Sequence, residues 1–353
     1  MEAYHHTMPA TLDTAGSDSL ATTLLRLAPE PCIHFSEHQV HETLFTHARE
    51  FMDRLHTFYR DWQDETEIDL PVKQVFSQPQ LAGDFRVMPC TIAKRKLKMV
   101  KIIGTNEAQK TVIDKICVGK AALIDYYDNH IYALFDVCAL SSFRTAAISC
   151  LAFQIGRKNH LPTGLIGSGR IGFYTAYLLH HWCHVDQLHV HDPCPENRQR
   201  FAQLCHHYLP NLAINQCSKD TLLDHCSALF LATTADTAIC NRNNSGHLQF
   251  ISSVGADADN LSEIDASLLT THQLVTDSVQ SACLGDMSRW NNDGLLAQNL
   301  TELRTLHNMP LLETQKILFI STGVAVQDAL TCQFIYQKRS QATDSEPTQT
   351  GQS

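Results

Sequence analysis

The residues of this chain that could do chemistry fall into two groups: cations set in apolar surroundings, and carboxylates at the ends of apolar runs. Lys101 stands alone in Leu97–Ile103, among Met99, Val100, Ile102 and Ile103. Burying an ammonium without a partner is costly. The position therefore calls either for an edge strand whose lysine reaches solvent along its stem or for a cation on the floor of a cleft, set to meet an acid. Arg144 lies in Ser142-Phe143-Arg144-Thr145, which opens the apolar helix Ala146–Gly156. At a helix start its guanidinium stands beside free backbone N–H groups, an arrangement suited to a carboxylate and one the helix dipole disfavours for a purely structural arginine. Asp257 follows the apolar strand Phe250–Val254 through Gly255-Ala256. A carboxylate at such a tip works in a crevice or simply makes an Asp turn.

The run Leu165-Ile166-Gly167-Ser168-Gly169-Arg170-Ile171-Gly172 supplies a different chemistry. Three glycines at this spacing allow a tight reversal at Gly167, close approach of a pyrophosphate at Gly169 and close helix packing at Gly172. The helix beginning there offers free N–H groups and a positive dipole end to phosphates. The context is ordered: a buried strand Thr163–Ile166, a helix Ile171–Trp182, a strand Gln187–His191, and then Asp192, 20 residues beyond Gly172. A carboxylate there would accept hydrogen bonds from ribose hydroxyls, which favours NAD over NADP. Thr233 and Thr234 end a further strand, Ala228–Ala232, at the edge that faces a dinucleotide in a doubly wound sheet. The bland alternative is a glycine-rich turn that holds no nucleotide. His180, His181, Cys183 and His184 are close in sequence, and His180 and His184 would share a helix face, but no CxxC pair completes a ligand set. No metal site is expected.

The elements that position these residues follow from periodicity. The helical pattern Ser36–Trp62 places Val40, Leu44, Phe51, Leu55 and Phe58 roughly on one face. Strands separated by polar turns fill Leu70–Ile103, and Cys117–Asp125, Ile131–Phe135 and Ala139–Ser142 continue that sheet. Beyond the glycine turn, helices at Pro195–Leu209 and Leu222–Cys226 alternate with strands at Leu212–Gln216, Gln273–Thr276 and Lys316–Ser321. A turn at Gly323 leads to a closing helix, Val324–Gln337. The expected class is α/β.

The 353 residues allow two domains, with 44% hydrophobic and 18% charged residues. A formal net charge of −10 argues against nucleic acid as a partner, since no excess of Lys and Arg can displace counterions. No run reaches the length of a bilayer span, so no membrane partner is expected. The odd count of thirteen cysteines has no regular spacing, and residues 1–10 carry no signal sequence; reduced thiols and a cytoplasmic location are expected. Residues 1–19 and 340–353 are polar and aperiodic and read as a disordered leader and tail.

Taken together, Ser142-Phe143-Arg144-Thr145-Ala146-Ala147, the Gly167–Gly172 turn, Val254-Gly255-Ala256-Asp257 and Gly323-Val324-Ala325-Val326-Gln327-Asp328 resemble the ornithine cyclodeaminase and mu-crystallin family over about residues 70–337. The resemblance implies a Rossmann NAD-binding domain (144–321) and a discontinuous α+β substrate and dimerisation domain (20–143 with 322–339), hence a homodimer. It implies hydride exchange between an amino-acid Cα and nicotinamide through an imine. It also implies that Lys101 and Arg144 hold the substrate carboxylate, that Asp257 handles protons at the amine and attacking water, and that Thr233 lines the nicotinamide pocket. Asp328 belongs to the closing motif in either a binding or a structural role.

Two departures bear on the substrate. Where many members have an arginine ahead of a Met-Pro pair, this chain has Lys73, which cannot bind bidentately. Where the ornithine enzyme has a glutamate two residues before that pair, this chain has Arg86 ahead of Val87-Met88-Pro89. An arginine repels an ornithine ammonium and attracts an acidic side chain. The stretch Gln333–Gln337 is also similar to a siderophore-pathway branch that oxidatively cleaves an N-(2-amino-2-carboxyethyl)-glutamate, although Gly255-Ala256-Asp257 is not usual there. The expectation is an NAD-dependent amino-acid oxidoreductase taking a small amino or imino acid. The alternatives are redox-neutral cyclodeamination of ornithine or lysine with ammonia release, and a non-catalytic nucleotide- or ligand-binding protein.

Overall fold

The computed structural model describes residues 30–345 except 79, 81–82, 106–116, 157, 159, 259, 283 and 297–299. The expected leader 1–19 and residues 346–353 of the expected tail lie outside the described residues. Two sheets organise the chain. The first contains β1 (Ile33–Phe35), β2 (Ile68–Asp69), β3 (Gln74–Ser77), β4 (Asp84–Ile92), β5 (Leu97–Thr105), β6 (Cys117–Ile124) and β7 (Ile131–Asp136), in the order β1-β7-β6-β5-β4-β2 with β3 also paired to β4. Its pairs are antiparallel except β1 with β7.

The second sheet contains β8 (Thr163–Ile166), β9 (Gln187–His191), β10 (Ala213–Gln216), β11 (Ala228–Leu231), β12 (Phe250–Ser253), β13 (Gln273–Thr276), β14 (Leu300–Glu302) and β15 (Ile317–Ile320). It is wholly parallel, in the order β10-β9-β8-β11-β12-β15-β13-β14. A parallel sheet covered on both faces needs apolar residues at successive positions. Leu165, Phe230, Phe250 and Phe319 accordingly join one core, while Ile166, Leu229, Leu231, Ile251 and Leu318 join another on the opposite face.

The helices correct four expectations. The single pattern Ser36–Trp62 is two helices, α1 (Glu37–Thr46) and α2 (Ala48–Asp61), with Ser36 and Gln39 forming a capping box at the start. The break at His47 leaves the Phe45 carbonyl to accept the Tyr177 hydroxyl at 3.0 Å, a bond between distant parts of the chain. Ala139–Ser142 is not strand, because α3 (Cys138–Ile155) begins earlier than Ser142. The Glu37 carboxylate accepts the Cys138 and Ala139 N–H groups at 2.9 and 2.7 Å and so satisfies the new helix start. The expected boundary between residues 143 and 144 falls inside this helix.

α3 is 18 residues long and apolar enough by composition to cross a membrane, yet 89% of it is buried inside the fold. It packs on α1, on β12 and on α4 (Arg170–His181), and Phe153 sits against Phe230 and Phe250 at 5.3 and 5.0 Å between ring centres. α5 (Pro195–Tyr208) and α6 (Lys219–His225) follow the expected alternation. The closing helix, α7 (Ala325–Ser345), packs back on α3, β4 and β5 and runs past residue 340, where a disordered tail was expected.

Candidate active site

Construction starts at the turn between β8 and α4. Gly167 has φ +100°, and a Cβ there would lie 2.3 Å from the Ala232 carbonyl; a Cβ on Gly172 would lie 2.1 Å from the Gly167 carbonyl. Only glycine fits either place. A Cβ on Gly169 would meet no atom within 4 Å, which leaves an open cradle beside the start of α4. Ser168 is buried, Ile171 is half-buried, and Arg170 is exposed and donates from Nη1 to Cys138 Sγ at 2.6 Å.

Asp192 stands at the end of β9 as expected, but its carboxylate is turned into the protein. Oδ2 accepts from Ser168 N and Oγ at 2.7 and 2.9 Å, and Oδ1 accepts from Cys194 N at 2.9 Å. Oδ2 has both lone pairs engaged by Ser168, and Oδ1 keeps a second one, so acceptor capacity toward a ribose remains on Oδ1 while the first claim on the carboxylate is the turn itself. Thr233 is also engaged: its N and Oγ1 donate to Glu263 Oε1 at 2.7 and 2.8 Å, while Thr234 is exposed.

Two ion clusters occupy the region between the lobes. In the first, Lys101 Nζ lies 2.7 Å from Asp328 Oδ2, and Arg144 Nε donates to Asp328 Oδ1 at 3.1 Å. Arg144 Nη1 also donates to Gln327 Oε1 at 3.1 Å, and Lys101 Nζ to Ser141 Oγ at 3.3 Å. Gln327 in turn donates to Asp277 Oδ2 at 3.1 Å. Gly323, with φ +81°, makes room, because a Cβ there would lie 2.6 Å from both terminal nitrogens of Arg144.

β5 lies inside the sheet between β4 and β6, so the edge-strand reading of Lys101 is excluded. Burial pushes the Lys101 pKa down, against the pull of Asp328. Arg144 is not at a helix start. It lies in the second turn of α3, since Glu37 already caps that end, and its guanidinium is buried against Asp328 and Gln327 rather than open beside free N–H groups.

In the second cluster, Arg86 Nη1 donates to Asp257 Oδ2 at 2.5 Å. Its Nε and Nη2 form a fork on Asp84 at 2.9 and 3.0 Å. Asp84 and Arg86 are two apart on β4 and share a face. Burial opposes the Arg86 charge, but Asp257 and Asp84 outweigh it and raise its pKa. The Asp257 side chain keeps 37% of its surface open. The surrounding walls work against its charge, yet Arg86 and then Lys73 more than offset them and hold its carboxyl below the usual range. Lys73 Nζ donates to the Thr322 carbonyl at 2.5 Å. Burial pushes it down to about 8, with Asp257 pulling upward and Arg86, Arg144 and Lys101 adding to the fall. That mutual influence places the two clusters side by side.

The structure thus gathers Lys73, Arg86, Lys101, Arg144 and Asp257. It adds Asp84, Gln327 and Glu263, and gives Asp328 the place between two cations. Of these additions Gln327 was legible in sequence, inside the closing motif Gly323–Asp328, whereas Asp84 and Glu263 were not singled out. His180 and Cys183 are engaged elsewhere: His180 Nδ1 bonds the Val185 carbonyl, and Cys183 Sγ donates to the Cys150 carbonyl.

A parallel sheet with a glycine turn at its switch point, joined to an antiparallel lobe that supplies cations, defines a two-lobed protein of the dinucleotide-fold class. The chain belongs to the ornithine cyclodeaminase/mu-crystallin family, whose sequence profile matches residues 33–343. An alanine dehydrogenase of Archaeoglobus fulgidus is 20% identical over 213 residues, covering 58% of this chain and 65% of that relative, so the match spans under two thirds of its length. The backbone is similar to an archaeal alanine dehydrogenase dimer with bound NAD (TM-score 0.78, 15% identity, 88% of this chain and 97% of that one). It is similar also to Thermococcus litoralis Δ1-pyrroline-2-carboxylate reductase in complex with NADH and L-proline (TM-score 0.77, 19% identity, 88% and 98%). At these identities the likeness is one of fold.

Proposed function

We propose that this protein is an NAD(H)-dependent oxidoreductase acting at the Cα of a small amino or imino acid. The observation that carries the reading is Asp257, a part-open carboxylate kept ionised by Arg86 and Lys73 at the carboxyl end of a parallel sheet. The residues present fit NAD: the Gly169 cradle is open, Gly167 and Gly172 admit no side chain, and Asp192 keeps spare acceptor capacity. When bound, NAD would accept the hydride from Cα or return it.

The chain's own groups do the rest. Arg86 and Lys73 bind the substrate's carboxylate, with Lys101 and Arg144 behind them, and Asp257 accepts from the amine N–H. A bound anion also changes Asp257 itself. By neutralising Arg86 and Lys73 it removes the charges that hold the carboxyl low, so Asp257 becomes a better proton acceptor when substrate is present. Holding both reactants in one orientation supplies further acceleration.

The guanidinium beside Asp257 disfavours a substrate with a cationic side chain, which sets ornithine and lysine cyclodeamination second. Every described cysteine is a free thiol, in keeping with a reducing cytoplasm. Phe76, Phe85 and Ile102 are 46–51% exposed on the first sheet, and the Phe76 and Phe85 rings stack at 4.7 Å. This apolar face supports a homodimer, which light scattering on the purified protein would check; a monomer at all concentrations would reject it.

The deciding experiment is a panel of amino and imino acids read for NADH absorbance and ammonia together. NADH change with an amino or imino acid supports the reading. Ammonia released without net NADH supports cyclodeamination. Dinucleotide binding without turnover would leave a binding protein.

A further inference from the structure

Glu263 is fully buried between the tips of β11 and β12 and is absent from the chemistry described above. Its carboxylate receives four hydrogen bonds. Oε1 accepts from Thr233 N and Oγ1 at 2.7 and 2.8 Å, and Oε2 accepts from Ser253 Oγ and Gly255 N at 2.6 and 2.9 Å. One oxygen therefore fixes the strand end expected to line the dinucleotide, and the other fixes the turn that carries Asp257 two residues later. Gly255 lets the two tips meet: a Cβ there would lie 2.1 Å from the Thr233 carbonyl and 2.5 Å from Glu263 Oε1.

The segment bearing Glu263 is itself held. Asp286 Oδ2 accepts from Glu263 N and Ile264 N at 3.0 and 3.1 Å, and its Oδ1 accepts from Ser262 Oγ at 2.8 Å. Burying a carboxylate is costly without compensation. Here burial pushes the Glu263 pKa up while the four donors oppose it. A neutral residue would tie these strands with less penalty, so the chain keeps an acceptor with two equivalent oxygens where two fixed backbone N–H groups converge.

We propose that Glu263 is a positioning residue: its two oxygens register Asp257 against the dinucleotide-facing end of β11, so that the acid and the cofactor edge share one anchor. This rests on the oxidoreductase reading above, and its test is separable from it. Glu263→Gln preserves volume but not this pattern. Whichever way the amide is turned, its NH2 opposes either the Thr233 or the Gly255 backbone N–H, and one tip is released.

The experiment compares wild type, E263Q, Ser253→Ala and the remote cap variant Ser36→Ala, all assayed well below their unfolding midpoints. S253A removes one hydroxyl but keeps both backbone bonds to Glu263. E263Q is expected to lower kcat by about 10- to 100-fold, the scale of a misplacement of about 1 Å, with KM for the amino acid little changed because Arg86 and Lys73 are untouched. Amide exchange is expected to quicken at Thr233 or at Gly255 and Asp257 in E263Q alone. S253A and S36A should lose stability while keeping kcat. Equal kcat per folded molecule in E263Q and S253A, with unchanged exchange at those amides, overturns the proposal.

If wild type turns over no substrate of the panel, the oxidoreductase reading fails, and exchange at these amides still judges the anchor. Should E263Q not fold, Gly255→Ala separates the same tips with the carboxylate intact. It is expected to lower kcat alike, and a folded G255A with full kcat overturns the proposal.

Discussion

The two ion clusters use the same kinds of side chain in opposite ways. Lys101, Arg144 and Asp328 are closed: their side chains are 1, 9 and 0% exposed, and Gln327 and Ser141 take hydrogen bonds from the cations. Arg86 and Asp257 meet at the opening, with Asp84 gripping the far side of the guanidinium and Asp257 left 37% open. A buried cluster whose charges are paired internally resists change and fixes how the closing helix docks on the first sheet. A pair with one open face can exchange its internal partner for a ligand. Under the proposed function, the first cluster holds shape and the second carries reactivity.

The sharpest way to break this division is Asp328→Ala, which strands two buried cations. Loss of one partner from a buried pair costs about 3–5 kcal/mol, and denaturant unfolding should show a destabilisation of that order. A fall below about 1 kcal/mol, the scale of a surface pair, would place Asp328 in the open cluster instead. Asp257→Asn should do the reverse. Turnover followed by NADH is expected to drop by about 10²-fold or more, with the unfolding midpoint nearly unchanged; undiminished turnover would remove Asp257 from the chemistry.

Gly323→Ala tests how tightly the closed cluster is fitted. A side chain at φ +81° crowding the Arg144 guanidinium should cost about 1–3 kcal/mol. A neutral substitution would show that the guanidinium has room to move. The smallest effect is expected from pH. Lys73, held at about 8 by burial against the pull of Asp257, is charged below that value and loses its proton above it. KM for the amino acid should therefore rise several-fold as pH passes through about 8, and Lys73→Gln should flatten that rise while raising KM at neutral pH. An identical profile in the variant would show that Lys73 meets no substrate anion.

Much of the fold was legible because it rests on local signals. The Gly167–Gly172 turn, β8, β9 and β13 stand where the apolar runs and glycines place them, since steric need and period-2 burial are properties of short segments. The start of α3 was not legible. Its first N–H groups are satisfied by Glu37, about a hundred residues earlier, and no local pattern carries that fact. The same holds for the break at His47, which leaves the Phe45 carbonyl to a tyrosine on α4.

For the site, the sequence by itself determined which residues were chemically unusual: a lysine in an apolar run, an aspartate at a strand tip, an arginine where a glutamate was expected. Their types follow from burial cost and strand period, which are written locally. Only the tertiary structure decided their partners. Asp328 claims Lys101 and Arg144, Asp257 is left to Arg86, and Glu263 ties two strand tips from a loop with no periodicity. Charge pairing depends on distance in space, and the chain brings residues more than two hundred positions apart within a few ångströms.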